Sequence, residues 1–161
     1  MIEINMADLQ RSQFAENLKN GVALEDPAGI IPWRTSPRKL AKMYPGLKKI
    51  TRGYYSLDVN FLNGLHCTMA LNFRPSNCSG IRFDIFRPAE YCKNHTLKES
   101  YGGFQKHIEL ALGKPSSTTH DPESGFDSHV WKIGMVIVEH YVFERFGLEE
   151  HFYICGTPLD L

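Results

Sequence analysis

The densest cluster of residues able to do chemistry is His120-Asp121-Pro122-Glu123, followed by Asp127 and His129. Imidazole nitrogens and carboxylate oxygens are ligands that divalent metals accept, so one reading is a metal-dependent enzyme working through the loop from His120 to His129. The spacing follows no recognised ligand pattern, however, and the polar stretch from Ser116 to Ser128 reads as a solvated loop. A second pair, Glu139-His140, lies in an apolar run of strand character. Neighbouring strand side chains point to opposite faces, so this carboxylate and imidazole cannot act together on one substrate. His140 therefore reads as a surface or interface residue rather than a general base. There is no G-x-S-x-G, P-loop, G-x-G-x-x-G, H-E-x-x-H or C-x-x-C. Cys67, Cys78, Cys92 and Cys155 read as free thiols, two of them inside apolar runs where a reduced cysteine packs as a small hydrophobe. The expectation is a protein with no catalytic, metal-binding or cofactor-binding residues.

Charge offers a different chemistry. The formal net charge of zero conceals halves of opposite sign. Residues 1–80 hold 10 Lys+Arg against 6 Asp+Glu, and 81–161 hold 8 against 12, giving +4 and −4. Between positions 34 and 52, Arg34, Arg38, Lys39, Lys42, Lys48, Lys49 and Arg52 occur without an intervening acid, interleaved with Trp33, Tyr44, Tyr54 and Tyr55. Basic residues beside aromatics can grip a phosphate backbone and stack on bases, so a nucleic-acid-binding module using segment 34–52 is an alternative. Zero net charge weakens its long-range attraction, and core packing explains Trp33 and Tyr44 equally well.

The elements that must position these residues follow from periodicity and punctuation. Asn5 with Asp8 resembles a helix entry, Phe14 and Leu18 form an i, i+4 apolar pair, and Asn20-Gly21 offers a stop, which predicts a short N-terminal helix. Glu25 to Pro32 reads as a connector. Ser36 can cap a helix and Pro37 suits its first turn, so 37–44 should be helical, with Leu40 and Met43 inward and Pro45-Gly46 ending it. Strands are predicted at 47–57, 65–73 and 81–86. The second alternates Leu65, Cys67, Met69, Leu71 and Phe73 against His66, Thr68, Ala70, Asn72 and Arg74, a polar face free to meet solvent or a partner. Thr96-Leu97-Lys98-Glu99 has the form of a capping box opening a helix with Tyr101, Phe104, Ile108 and Ala111 inward, stopped by Gly113 and Pro115. Gly102-Gly103 inside it costs about 1 kcal/mol per residue relative to Ala, which close packing or a kink should explain. Further strands are predicted at 130–143 and 151–155.

These elements repeat. Shifting the numbering by 70 places Leu40 on Leu110, Phe61 on Trp131, Gly64 on Gly134, Leu65 on Met135, Cys67 on Ile137, Leu71 on Tyr141 and Phe73 on Phe143. The expected fold is α+β within a single compact domain, 1–161: an N-terminal helix and connector (1–27), then two similar helix-plus-antiparallel-strand units in tandem, 28–95 and 96–161. The strand 135–143 is apolar on both faces; Met135, Ile137, Tyr141 and Phe143 are expected to pack on the helix, leaving Val136, Val138 and Val142 in need of another cover. The amino terminus lacks the cationic start and apolar stretch of a secretory signal, and no run approaches membrane-spanning length, so a cytoplasmic location is expected.

Three stretches resemble small cytoplasmic immunity proteins of bacterial polymorphic-toxin systems: Tyr44-Pro45-Gly46-Leu47-Lys48-Lys49, Leu112-Gly113-Lys114-Pro115, and His129-Val130-Trp131-Lys132-Ile133-Gly134 continuing to His140-Tyr141-Val142-Phe143. The likeness spans about residues 28 to 155 and rests on helix stops and strand patterns. In architecture alone the tandem also resembles the β-lactamase inhibitor proteins. The resemblance implies a non-enzymatic, cofactor-free inhibitor that binds a cognate toxin or effector protein, with no membrane partner and with homodimerisation left open. Such a surface needs aromatic anchors within polar surroundings and charge complementary to the target. Glu144, Glu149 and Glu150 beside Phe146 and Phe152, with His140 nearby, are the expected partner-binding residues.

Overall fold

In the computed structural model, residues 13–156 are described. The expected helix entry at Asn5 and Asp8 lies outside them, and residues 13–17 are helical (α1). The segment 25–32, expected to be a connector, instead forms the turn and second strand of a hairpin, β1 (Gly21–Leu24) and β2 (Gly29–Pro32), paired antiparallel from Gly21↔Pro32 to Leu24↔Gly29. Helix α2 (Pro37–Met43) begins as its sequence dictates: Ser36 Oγ accepts from Lys39 N at 3.2 Å and Pro37 occupies the first turn. Leu40 is buried as expected, but Met43 is half exposed, and Tyr44 just past the helix end takes the inward place.

Four strands follow: β3 (Lys48–Thr51), β4 (Tyr54–Phe61), β5 (Leu65–Asn72) and β6 (Ser79–Phe86). The single strand expected at 47–57 is therefore broken by a turn at Arg52-Gly53. After a short helix α3 (Ala89–Asn94), helix α4 (Leu97–Leu112) opens with the capping box in place. Thr96 Oγ1 accepts from Glu99 N, and the Glu99 carboxylate accepts from Thr96 N, each at 3.1 Å. Four more strands complete the chain: β7 (Ser117–His120), β8 (Asp127–Ile133), β9 (Val136–Glu144) and β10 (Leu148–Gly156). The polar stretch expected to be a loop is thus a hairpin, β7 against β8.

All eight later strands join one antiparallel sheet in the order β3-β4-β5-β6-β10-β9-β8-β7. The architecture is α+β, and its two four-strand meanders meet where β6 pairs with β10, Phe83 opposite Ile154. One face of the sheet is covered. Tyr101, Phe104, Ile108 and Ala111 of α4, Leu40 of α2, and Val22 and Ile31 of the first hairpin bury there with Leu57, Val59, Phe61, Cys67, Met69, Leu71, Phe83, Trp131 and Phe152. One apolar cluster draws on both halves of the chain. Two indole N–H groups satisfy carbonyls at helix ends, Trp131 Nε1 to Gly113 O at 2.9 Å and Trp33 Nε1 to Leu18 O at 2.6 Å.

The 70-residue echo does not survive residue by residue. The β8–β9 turn is Gly134-Met135, with Gly134 at φ +58 and Ile133 opposite Val136. Three residues, Leu62 to Gly64, separate the corresponding partners Phe61 and Leu65. That difference shifts the alternation by one. Val136, Val138, His140 and Val142 face inward, while Met135 is 59% exposed and Ile137, Tyr141 and Phe143 lie on the other face, the reverse of the expected assignment.

Candidate functional site

Of the six residues expected to bind a partner, the structure leaves three on the surface. Glu144, Phe146 and Glu149 lie at the tip of the β9–β10 hairpin, where Phe146 is 93% exposed. The other three turn inward by strand alternation. Phe152 is 2% exposed, 5.4 Å from the Phe104 ring and 6.3 Å from Phe61, and His140 is 0% exposed. The expectation that His140 stands at the surface fails because Glu150 and Gln105 satisfy it from within.

The result is a buried polar chain beneath α4. His140 Nε2 lies 2.6 Å from Glu150 Oε2, and its Nδ1 lies 2.8 Å from Gln105 Oε1. Ser100 Oγ donates to Glu150 Oε1 at 2.5 Å, and Arg87 donates to Ser100 Oγ at 3.2 Å and to its carbonyl at 3.0 Å. The Tyr101 ring stacks on His140 at 4.0 Å, and its hydroxyl donates to the carbonyls of Asp127 and His140. Burial holds the His140 imidazole below its ordinary pKa, against the upward pull of Glu150. This order of groups is not that of a nucleophile and its base, because the Ser100 hydroxyl gives its proton to a carboxylate, with the imidazole beyond it. Its members contact one another in sequence, and Arg87 is held between the Tyr91 and Phe104 rings at 4.2 and 4.0 Å. Gly103 makes room for that guanidinium, since a Cβ there would stand 2.7 Å from Arg87 Nη2. The helix runs unbroken through the glycine pair, and nothing lies within 4 Å of a Cβ at Gly102.

The expected alternatives meet specific geometry. His120 Nδ1 contacts Asp127 Oδ1 at 2.8 Å across the β7–β8 hairpin, and His129 Nδ1 contacts Thr118 Oγ1 at 3.1 Å. Asp121 accepts from the backbone N–H groups of Glu123 and Ser124. Among the described residues, no three His, Cys, Asp or Glu side chains are grouped to hold a metal ion. In the basic segment, Tyr44 is buried and Trp33 packs edge-on against Phe83 at 5.7 Å, while Tyr54 is about half exposed.

The outward face of the sheet, which the sequence marked only in the polar side of β5, extends much further. One cross-strand row runs through all eight strands: Lys48, Ser56, Ala70, Asp84, Tyr153, Glu139, Val130 and Ser117. Among the described residues, the helices and the β1–β2 hairpin pack on the opposite face, and the polar contacts of this one run between its own members. Arg82 lies 4.0 Å over the Tyr153 ring and 3.1 Å from Asp84. Tyr141 stacks on His151 at 5.1 Å, Thr68 Oγ1 donates to Asp58 at 3.0 Å, and Asn72 donates to the Tyr54 hydroxyl at 3.2 Å. Tyr54, Phe86 and Phe143 are about half exposed. Phe143 pairs with Glu149, which joins this face to the hairpin tip bearing Phe146. Burial first, then the Glu139 carboxylate, pushes the Tyr153 phenol upward. The signal was legible in part: the polar alternation of β5 marks this face, and Ile137, Glu139, Tyr141 and Phe143 continue it once β9 is placed in register.

Aromatic rings, carboxylates and a guanidinium thus share a sheet face that no helix or hairpin of the described residues packs on. No helix of the described residues is long and apolar enough to cross a membrane. The chain matches no family model, no curated protein and no solved structure.

Proposed function

We propose that this protein is a non-enzymatic inhibitor that binds another protein through the outward face of its sheet and the adjoining β9–β10 tip. Specifically, it is an immunity protein that neutralises a cognate toxin from within the cytoplasm. The observation that carries the reading is the row across eight strands that no helix or hairpin of the described residues packs on, with Tyr153 in it and Tyr141, Phe143 and Phe146 beside it as aromatic anchors set among carboxylates. Aromatic anchors ringed by polar groups hold most of the affinity in protein interfaces. A binding role also accords with the buried His140–Glu150–Ser100 chain, whose imidazole a substrate could not reach. On this reading the two meanders, each preceded by a helix, are related units in tandem that together widen one gripping surface.

The test is to sequence the neighbouring gene and, where it encodes a secreted protein with a C-terminal toxin domain, to co-express that domain with this chain. Protection of the cell and a one-to-one complex are expected, lost together on Tyr141→Ala with Tyr153→Ala. A complex that survives both substitutions, or an unprotected cell, would reject the proposal.

A further inference from the structure

A hollow of about 210 Å³ opens on the outward face over β8 and β9, lined by Ser128, His129 and Val130 on one strand and Glu139 and Tyr141 on the other. We propose that it receives one Lys or Arg side chain of the protein partner, which rests on reading this face as the binding surface. The argument comes from the row that crosses the sheet. Asp84, Tyr153 and Glu139 stand side by side on β6, β10 and β9, a ring between two carboxylates. On the Asp84 side the cation is supplied internally. Arg82 contacts Asp84 at 3.1 Å and covers the Tyr153 ring at 4.0 Å.

On the Glu139 side the same elements recur without the cation. Tyr141 stands two residues along β9 on the same face as Glu139, and among the described residues no cation lies within ion-pair distance of Glu139. Lys132, the outward-facing cation of β8, stands opposite Ile137 in the register, whereas Glu139 stands opposite Val130. The Glu139 carboxylate attracts the charged head, the Tyr141 ring favours it over its face, and Val130 offers apolar surface to the methylene stem. The hollow therefore has a carboxylate, a ring and an apolar wall for one basic side chain.

The probe is n-butylguanidinium, titrated into the full-length ¹⁵N-labelled protein and followed by amide shifts, with n-butylurea as the neutral control. Saturable shifts are expected at Ser128, Val130, Glu139 and Tyr141, about tenfold weaker binding on Glu139→Gln, and none with the urea. Glu139→Asp, which keeps the charge, should retain binding and separates loss of the site from loss of fold. Absent or unsaturable shifts, equal binding of the urea, or unchanged affinity in a well-dispersed Glu139→Gln spectrum would overturn the hollow as a cation site. The two readings fail differently: a toxin that binds Glu139→Lys with native affinity removes the hollow and leaves the inhibitor, whereas butylguanidinium binding without any toxin complex leaves the hollow alone.

Discussion

Glu150 Oε2 and His140 Nε2 meet at 2.6 Å across β10 and β9, in a layer where the imidazole has no contact with solvent. Removing the carboxylate would strand both this imidazole and the Ser100 hydroxyl that donates to the other oxygen at 2.5 Å. Glu150→Leu should therefore destabilise the fold by about 1–3 kcal/mol or more, the cost of unpaired buried polar groups. Urea unfolding reads this directly, and an unchanged midpoint would show the chain of contacts to be dispensable.

The same imidazole sets a pH dependence. Burial lowers its folded-state pKa beneath the unfolded value of 6.5, so the unfolded chain binds the extra proton first. Stability is full above pH 6.5 and falls as pH drops below it, by at most about 1.4 kcal/mol per unit for this group. Unfolding midpoints at about pH 8 and about pH 5.5 should differ in the wild type, and the difference should shrink in His140→Gln.

Two phenylalanines of one hairpin region should behave in opposite ways. Phe152→Ala empties a site enclosed by Phe61, Phe104 and His140 and should cost about 3–5 kcal/mol. Phe146→Ala should leave the melting temperature unchanged and, on the proposed reading, weaken the toxin complex. Calorimetric melting and titration of both variants distinguish core from anchor.

Adjacent glycines of α4 separate as well. Gly102→Ala meets nothing within 4 Å and should stabilise the helix by up to about 1 kcal/mol. Gly103→Ala must displace the Arg87 guanidinium from Ser100, so its propensity gain should be cancelled or reversed. Thermal melts of the two variants provide the comparison, and equal gains would show that Arg87 moves aside freely.

The four free thiols should react in an order set by access. Cys92 is exposed, whereas burial pushes Cys67 up to about 12, and burial followed by contact with Cys78 does the same to Cys155. A chromogenic disulfide reagent should modify Cys92 rapidly and reach Cys67 only on unfolding.

The legible parts of this fold were those decided locally. Ser36-Pro37 and Thr96 to Glu99 mark helix starts through contacts three residues long, and the alternation of Leu65 to Leu71 names its own inward face. β9 could not be resolved that way, because Ile137, Tyr141 and Phe143 are as apolar as Val136, Val138 and Val142. What decides between them is the two-residue Gly134-Met135 turn, which turns His140 inward onto Glu150 and onto Gln105, 35 positions away. β7 was hidden for the opposite reason: Ser117 to His120 is wholly exposed and carries no apolar pattern, only pairing with β8. The candidate site escaped for a related cause, since a row spanning eight strands brings together residues from Lys48 to Tyr153 that no window of sequence contains.

The strand made latest among those described, β10, occupies the middle of the sheet, paired with β6 on one side and β9 on the other. A nascent chain that has reached the β9–β10 tip thus exposes two unsatisfied edges, each able to zip onto a neighbouring copy. β10 bridges the two meanders, so a stop codon before Leu148 should yield a sticky, protease-sensitive fragment instead of a shortened folded protein.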